Sequence, residues 1–184
     1  SKKKDLAKRI IVALDVGSRE EALSLTSKLQ AVEIFKVGFK LFIAEGPSLL
    51  NEIRAFGKKI FLDLKLHDIP NTVAETVKVA ARHGAYMLTL HSSGGREMME
   101  AAVDSAAREA EKLGRDKLLL LAVTVLTSLK NEQLPEIGLA ADASSQVLRL
   151  ARLARESGMD GVVSSPQEIE IIKKEIGRNY WVIF

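Results

Sequence analysis

The sequence predicts an α/β protein built as a (β/α)₈ barrel, and three observations lead to that prediction. Short apolar runs rich in strand-forming residues alternate with helical patterns along all 184 residues. The runs recur about every 20–40 residues, a spacing typical of βα units that build a parallel sheet. A polar side chain that can form hydrogen bonds or transfer protons lies at the C-terminal end of each of the first six runs. In a barrel these strand ends converge on one mouth, where such enzymes hold their active sites.

Seven runs are predicted to be strands because each is short, apolar and rich in strand-forming residues. Since helical patterns separate them, we expect the strands to lie parallel in one sheet. The predicted strands are residues 9–14, 34–37, 59–62, 86–90, 117–125, 161–163 and 180–184.

Six helices are predicted between the strands from apolar residues at helical spacing and from signals at the helix ends. Ser18 is expected to cap the first helix, with Glu21 at the spacing of a capping box. The apolar stripe of the second helix covers residues 49–56. The residues expected to open the third, fifth and sixth helices are Pro70, Asp142 and Pro166. The glycines expected to end the second to sixth helices are Gly57, Gly84, Gly114, Gly158 and Gly177.

Two parallel-sheet architectures compete for this pattern. A doubly wound sheet usually carries a G-x-G-x-x-G phosphate loop after its first strand, and residues 15–18 do not match that loop. A complete barrel needs eight strands and about 250 residues. We therefore expect residues 1–184 to form a single barrel domain that is truncated in or after its seventh strand.

Composition and charge exclude several classes of protein. The net charge of +3 does not indicate nucleic-acid binding, although it suits a small anionic substrate. The absence of cysteine excludes disulfides and cysteine-ligated metal sites, and it fits a cytoplasmic location. No apolar run approaches the roughly 20 residues of a membrane helix. No apolar segment follows the basic residues Lys2, Lys3 and Lys4 as it would in a signal peptide.

The most informative segment runs from Asp63 to Thr72, where the third strand is expected to pass into the third helix. Asp63 and Lys65 are two residues apart, so their side chains leave the same face of an extended backbone. Lys65 and Asp68 are three residues apart, close enough to meet once the chain turns. We expect a charged catalytic array here, to which Lys36 at the end of the second strand adds another cation.

The segment DLKLHDIPNT at residues 63–72 resembles the signature of the orotidine 5′-monophosphate decarboxylase family. Its D-x-K-x-x-D core is shared with sugar-phosphate enzymes of the same suprafamily, whereas the longer string is specific. Other strand ends resemble the family in the same order along the chain. They are IVALD at 11–15, FKVG at 35–38, TLHSSGG at 89–95, VTVLTS at 123–128 and GVVSS at 161–165.

The resemblance implies that the protein removes CO₂ from C6 of orotidine 5′-monophosphate to give UMP in pyrimidine biosynthesis, with no cofactor and no metal. A carbanion at that carbon has no electron sink, so the site needs fixed positive charge and a proton donor. Lys65 supplies both and is the expected donor. Asp63 is expected beside the substrate carboxylate, and Lys36 and Asp68 complete the catalytic array.

The resemblance also implies substrate-binding residues. Asp15, and in part Lys36, would bind ribose hydroxyls, and Thr127 would contact the pyrimidine ring. Asp63 belongs to this set as well. His91 is a further candidate, with a purely structural role as the open alternative.

A second subunit is implied in the same way. Asp68 and Thr72 would reach into the active site of the partner, so the resemblance implies a homodimer with shared sites. The family continues past the seventh strand with a mobile phosphate-gripping loop and an eighth strand, both of which we expect to be absent from this chain. A chain without them is expected to be a poor enzyme.

Two alternatives stay open at this point. One is a metal-dependent sugar-phosphate decarboxylase or synthase of the same suprafamily, which would need an acid near the second strand, where this chain has Lys36. The other is a non-catalytic binding protein derived from a barrel.

Overall fold

The computed structural model describes residues 9–184, in which seven strands form one sheet whose order follows the chain. Each strand lies parallel to the next one. The sheet curls into an open barrel with helices between the strands, which confirms the predicted class. The strands are β1 Ile11–Ala13, β2 Ile34–Gly38, β3 Lys59–Leu66, β4 Met87–His91, β5 Leu119–Val123, β6 Gly161–Val163 and β7 Trp181–Ile183.

Within the described residues there are seven α-helices, one more than the six predicted. The additional helix, α2, begins directly after β2 and ends at Gly46, where φ is 71°. It has only seven residues, and its apolar side chains continue the apolar pattern of the strand before it. The helices are α1 Arg19–Lys28, α2 Phe39–Glu45, α3 Ser48–Ala55, α4 Pro70–Arg82, α5 Arg96–Leu113, α6 Ala143–Glu156 and α7 Ile169–Glu175.

Side chains cap two of the predicted helix starts. Ser18 accepts a hydrogen bond from the N–H of Glu21 at 3.3 Å. Asp142 accepts one at 3.1 Å from an N–H in the first turn of α6. Glu21 does not complete the expected capping box, because its carboxylate accepts a bond from the N–H of the residue before Ser18. The prediction for the last helix was wrong by a few residues, since Pro166 opens a short 3₁₀ turn that precedes α7.

Two apolar clusters support the sheet. The larger one lies between the outer face of the sheet and the helices. The smaller one fills the inner face with one buried residue from each of β2 to β5. Because strand side chains alternate between faces, the residues two positions further along β2, β3 and β4 face inward above this cluster. The cluster consists of Ile34, Phe61, Met87 and Leu121, and the residues above it are Lys36, Asp63 and Thr89.

Strand β3 is longer than predicted, so the charged run begins inside the strand and not after it. Its pairing with β4 shifts, and residues 63–65 lie opposite the single residue Thr89. This bulge places Lys65 at a φ of 49°, in the left-handed region. The pairs that flank the bulge are Leu62 with Leu88 and Leu66 with Leu90.

Strands β1 and β7 form the two edges of the sheet in the described part of the chain. Across residues 9–184, none of the helices has the length and apolar character needed to cross a membrane. The basic residues Lys2, Lys3 and Lys4, after which the sequence predicts no signal-peptide segment, lie outside the described residues.

Candidate active site

Three of the predicted site residues meet at the mouth of the sheet. The Lys65 ammonium donates hydrogen bonds to both carboxylate oxygens of Asp63, at 2.9 and 2.8 Å. The Lys36 ammonium, from the neighbouring strand β2, lies 3.3 Å from Oδ2 of the same carboxylate. The alternation of side chains along β2 and β3 aims all three groups inward, so one carboxylate is held between two cations.

Thr89 is a fourth member of this cluster that the sequence analysis missed. Its hydroxyl donates a hydrogen bond to Oδ1 of Asp63 at 2.8 Å. The hydroxyl oxygen of Thr89, Oγ1, accepts a hydrogen bond from the backbone N–H of Lys65 at 2.9 Å. The signal was present in the sequence, because Thr89 is the one hydroxyl in the otherwise apolar first four residues of β4.

Opposing effects act on the pKa of Asp63. Burial raises it, but hydrogen bonds from Lys65 and Thr89 and the charges of Lys65 and Lys36 bring it below its usual value. The carboxyl is therefore ionised at neutral pH, although the residue is only 7% exposed. Two ammonium groups and one carboxylate leave the cluster with a net positive charge, which suits an anionic ligand.

His91 lies at the end of β4, on the same face as Thr89. Its ring centroid is 5.6 Å from that of His67, which lies just beyond the end of β3. Burial lowers the pKa of His91, and the charges of His67 and Lys65 lower it further. The imidazole is therefore neutral at pH 7 and can both donate and accept a hydrogen bond.

Asp68 does not join the array within this chain, contrary to the expectation from its spacing. Because β3 continues through Leu66, the turn toward α4 comes later and Asp68 lies beyond the strand. Its carboxylate accepts a hydrogen bond from the N–H of Ile69 at 2.7 Å. Thr72, in the first turn of α4, is also exposed. Both residues are thus available on the surface of the chain.

The other predicted residues lie at the same end of the sheet. Asp15 is exposed just after β1 and lines a small cavity of about 220 Å³ together with Gly38 and Leu41. Thr127 is exposed in the segment after β5. Among the described residues, neither side chain forms a hydrogen bond with the lysines or the carboxylate of the central cluster.

The described part of the chain holds no group of three or more His, Asp or Glu side chains that could bind a metal ion. The inward-facing position in the middle of β2, near which an acid would be needed to hold Mg²⁺, carries Lys36.

Comparisons with known proteins agree on one family. The model of the "Orotidine 5'-phosphate decarboxylase / HUMPS family" matches residues 8–184. An orotidine 5'-phosphate decarboxylase of Syntrophomonas wolfei is 49% identical over 178 residues, which cover 95% of this chain and 74% of that protein. One of Marinomonas sp. is 46% identical over 175 residues, covering 95% of this chain and 73% of the relative.

Solved structures agree with the sequence comparison. The crystal structure of an orotidine 5'-phosphate decarboxylase from Lactobacillus acidophilus superposes with a TM-score of 0.88 at 38% identity, covering 94% of this chain and 78% of that one. An uncharacterised conserved protein from Geobacillus kaustophilus gives a TM-score of 0.89 at 39% identity, covering 94% and 80%.

Proposed function

The chain belongs to the orotidine 5'-phosphate decarboxylase / HUMPS family, and on that premise we propose that it converts orotidine 5'-monophosphate to UMP and CO₂. The observation that carries the proposal is the cluster in which Asp63 is held between the ammonium groups of Lys65 and Lys36. The named relatives favour the decarboxylase over the sugar-phosphate enzyme and over a non-catalytic barrel.

The reaction breaks the bond between C6 of the pyrimidine and its carboxylate carbon. The electron pair stays at C6, CO₂ leaves, and the Lys65 ammonium gives a proton to that carbon. The positive charge of Lys65 also stabilises the carbanion as it forms, so one side chain supplies both requirements. Asp63 accepts two hydrogen bonds from the Lys65 ammonium and holds it in place.

Asp63 is proposed to lie beside the substrate carboxylate. Two negative groups in contact disfavour the bound substrate, and that repulsion disappears as CO₂ departs. Lys36 binds the other side of Asp63 and is proposed to contact the ribose hydroxyls together with Asp15. Thr127 is proposed to contact the pyrimidine ring, and His91 to line the substrate site as a neutral imidazole.

We further propose that the protein forms a homodimer whose active sites are shared. Asp68 and Thr72 are exposed beside the mouth, and Ile69 between them is 66% exposed. An exposed apolar side chain flanked by polar groups suits a protein interface. Asp68 of each subunit would then complete the charged array of the other. The cytoplasm is the proposed location.

An eighth strand is proposed to complete the barrel. The relatives extend beyond the matched region, since the chain covers 74% of the Syntrophomonas protein. A strand that pairs with both β1 and β7 would satisfy the two sheet edges. We propose that the groups that bind the substrate phosphate lie on this strand and on the loop before it.

The test is the conversion of orotidine 5'-monophosphate to UMP by the full-length protein that carries this sequence. Lys65→Ala should abolish turnover and leave the circular dichroism spectrum unchanged. Lys78→Ala is the matched control, because Lys78 is a lysine on α4 whose ion pair with Glu75 lies outside the cluster. Near-normal turnover by a folded Lys65→Ala protein would refute the role of Lys65.

Chelation separates the proposal from the metal-dependent branch of the family. Exhaustive treatment with a chelator should leave turnover unchanged, because Lys36 occupies the inward-facing position of β2 near which a metal-binding acid would be needed. A loss of activity that Mg²⁺ restores would instead favour the sugar-phosphate enzyme.

A further inference from the structure

We propose that Thr89 is a positioning residue of this site, whose hydroxyl fixes the backbone of Lys65 and the carboxylate of Asp63 relative to each other. Its effect on turnover rests on the proposed function, whereas its geometry does not. Thr89 is 1% exposed, and within the described chain its hydroxyl bonds only these two residues.

The bulge in β3 creates the need for such a group. Residues 63–65 lie opposite Thr89 alone, so the backbone of Lys65 has no regular ladder partner on β4. A buried N–H without a partner carries a free-energy penalty. The Thr89 side chain satisfies it, because Oγ1 accepts the Lys65 N–H at 2.9 Å.

The backbone of Lys65 is also strained. Its φ of 49° is unusual for a residue with a side chain, and such a conformation persists only where the surroundings impose it. The bond from Thr89 is one of the contacts that impose it. Because φ sets the direction in which a side chain leaves the backbone, relaxation of this one residue would move the ammonium relative to the Asp63 carboxylate that it now binds.

The same hydroxyl controls the carboxylate. Oγ1 of Thr89 accepts a hydrogen bond from the Lys65 N–H. The hydroxyl proton of Thr89 therefore points at Oδ1 of Asp63, which lies 2.8 Å from Oγ1. Asp63 in turn accepts two bonds from the Lys65 ammonium. The bonds form a closed ring from the Lys65 backbone through Thr89 and Asp63 to the Lys65 ammonium, which fixes the proposed proton donor against its own backbone.

Three substitutions in the full-length protein test this role. Thr89→Val keeps the shape and removes the hydroxyl, whereas Thr89→Ser keeps the hydroxyl. Thr26→Val is the matched control, because Thr26 is a fully buried threonine on α1 whose hydroxyl donates to the carbonyl of Ala22.

We expect Thr89→Val to lower kcat by about ten- to a hundredfold, with a much smaller change in KM, because misplaced groups raise the barrier more than they weaken binding. The kcat values of Thr89→Ser and Thr26→Val should stay close to that of the unmodified protein.

The acid limb of the pH profile of kcat should move to higher pH in Thr89→Val, because Asp63 loses a donor that lowers its pKa. The other charged groups that face Asp63 are Lys36, Lys65 and, when protonated, His91.

Unchanged kcat and an unchanged pH profile in Thr89→Val would overturn the proposal, and so would an equal loss in Thr89→Val and Thr89→Ser. If Thr89→Val does not fold, Thr89→Ala against Thr89→Ser gives the same comparison, and equal kcat values for these two variants would overturn the proposal.

If the unmodified protein does not decarboxylate the nucleotide, the proposed function fails, and the role of Thr89 is still tested by ¹³C NMR of the carboxyl groups. The pKa of Asp63 should then rise in Thr89→Val, and no rise would count against the proposal.

Discussion

Asp63 joins the charged groups at the mouth of the sheet, because Lys36, Lys65 and Thr89 all donate to its carboxylate. Removing its charge would leave two lysines side by side without an anion between them. A buried donor that loses its partner costs about 1–3 kcal/mol. The same change would also weaken the hydrogen bonds that hold the Lys65 ammonium in place.

We therefore predict that Asp63→Asn abolishes turnover and lowers the free energy of unfolding at pH 7 by about 1–3 kcal/mol. Urea denaturation followed by circular dichroism measures the second effect. Asp104→Asn is the control, since Asp104 is exposed on α5. Full turnover by the Asp63→Asn protein would contradict the assigned role of the carboxylate.

The difference in free energy of unfolding between the original protein and Asp63→Asn should decrease as the pH falls. The pKa of Asp63 in the folded protein lies below that of the unfolded chain, so its contribution to stability is fully present above the unfolded value of about 3.9. The contribution is lost as the pH falls through the folded pKa. The difference in free energy of unfolding between the original protein and Asp63→Asn should accordingly shrink in acid. A difference that grows there would mean that the pKa of Asp63 is raised and not lowered by folding.

At the scale of the elements, the sequence predicts most of the fold because apolar periodicity and capping residues are local signals. The bounds of β6 and the capping role of Asp142 can be predicted from residues close to them in the sequence. The length of β3 cannot be predicted in this way, because it depends on a bulge that forms only against β4. For the same reason Thr89 was missed, since its two partners are distant in sequence and meet it only across the sheet.

Two glycines that follow helices allow two costs of adding a side chain to be compared, the cost of a left-handed backbone conformation and the cost of overlap with a neighbouring side chain. Gly57 and Gly84 both have a φ of 73°. A Cβ at Gly57 would meet nothing within 4 Å, whereas one at Gly84 would overlap the guanidinium of Arg54. Only the second position therefore requires a neighbouring side chain, that of Arg54, to move in addition to the cost of its conformation.

We predict that Gly57→Ala lowers the free energy of unfolding by about 1–2 kcal/mol and that Gly84→Ala lowers it further. Urea denaturation of both variants measures the difference. The added substitution Arg54→Ala should reduce the cost at Gly84 and leave the cost at Gly57 unchanged. Equal costs at the two glycines would mean that the Arg54 side chain moves away freely.

At the scale of the whole molecule, the placement of Asp68 distinguishes a shared site from one built within a single chain. Asp68 is exposed and bonds only its neighbour Ile69 in the described chain, while Lys65 is bound to Asp63. In the proposed dimer each site uses Lys65 of one subunit and Asp68 of the other. A dimer of one Lys65→Ala and one Asp68→Ala subunit then holds one undamaged site.

We predict that mixing the two inactive variants restores up to about a quarter of full activity, because half of the randomly formed dimers are mixed and each has one intact site of two. Subunit exchange is checked by mass spectrometry of differently tagged chains. Absence of recovery despite confirmed exchange would indicate that each site is complete within one chain.

The last prediction concerns the two edges of the sheet, β1 and β7. Strands β1 and β7 each have one side without a partner strand in the described chain, and such edges expose backbone groups to pairing with other molecules. The proposed eighth strand would cover both edges and bring the groups that bind the substrate phosphate, far from the carbon that reacts. Binding energy from a remote phosphate can lower the barrier at the reacting carbon, so its loss should reduce kcat as well as affinity.

We predict that the chain extended through this strand has a far higher kcat/KM than residues 1–184 alone. The comparison is made on both forms at equal concentration, with circular dichroism and size-exclusion chromatography to confirm that each is folded and to detect association through the open edges. Inorganic phosphite added with a substrate that lacks the phosphate gives an independent readout, since it should stimulate only the extended form. Equal kcat/KM values would mean that the phosphate site lies within residues 1–184 and that the strand is not needed to complete the catalytic machinery.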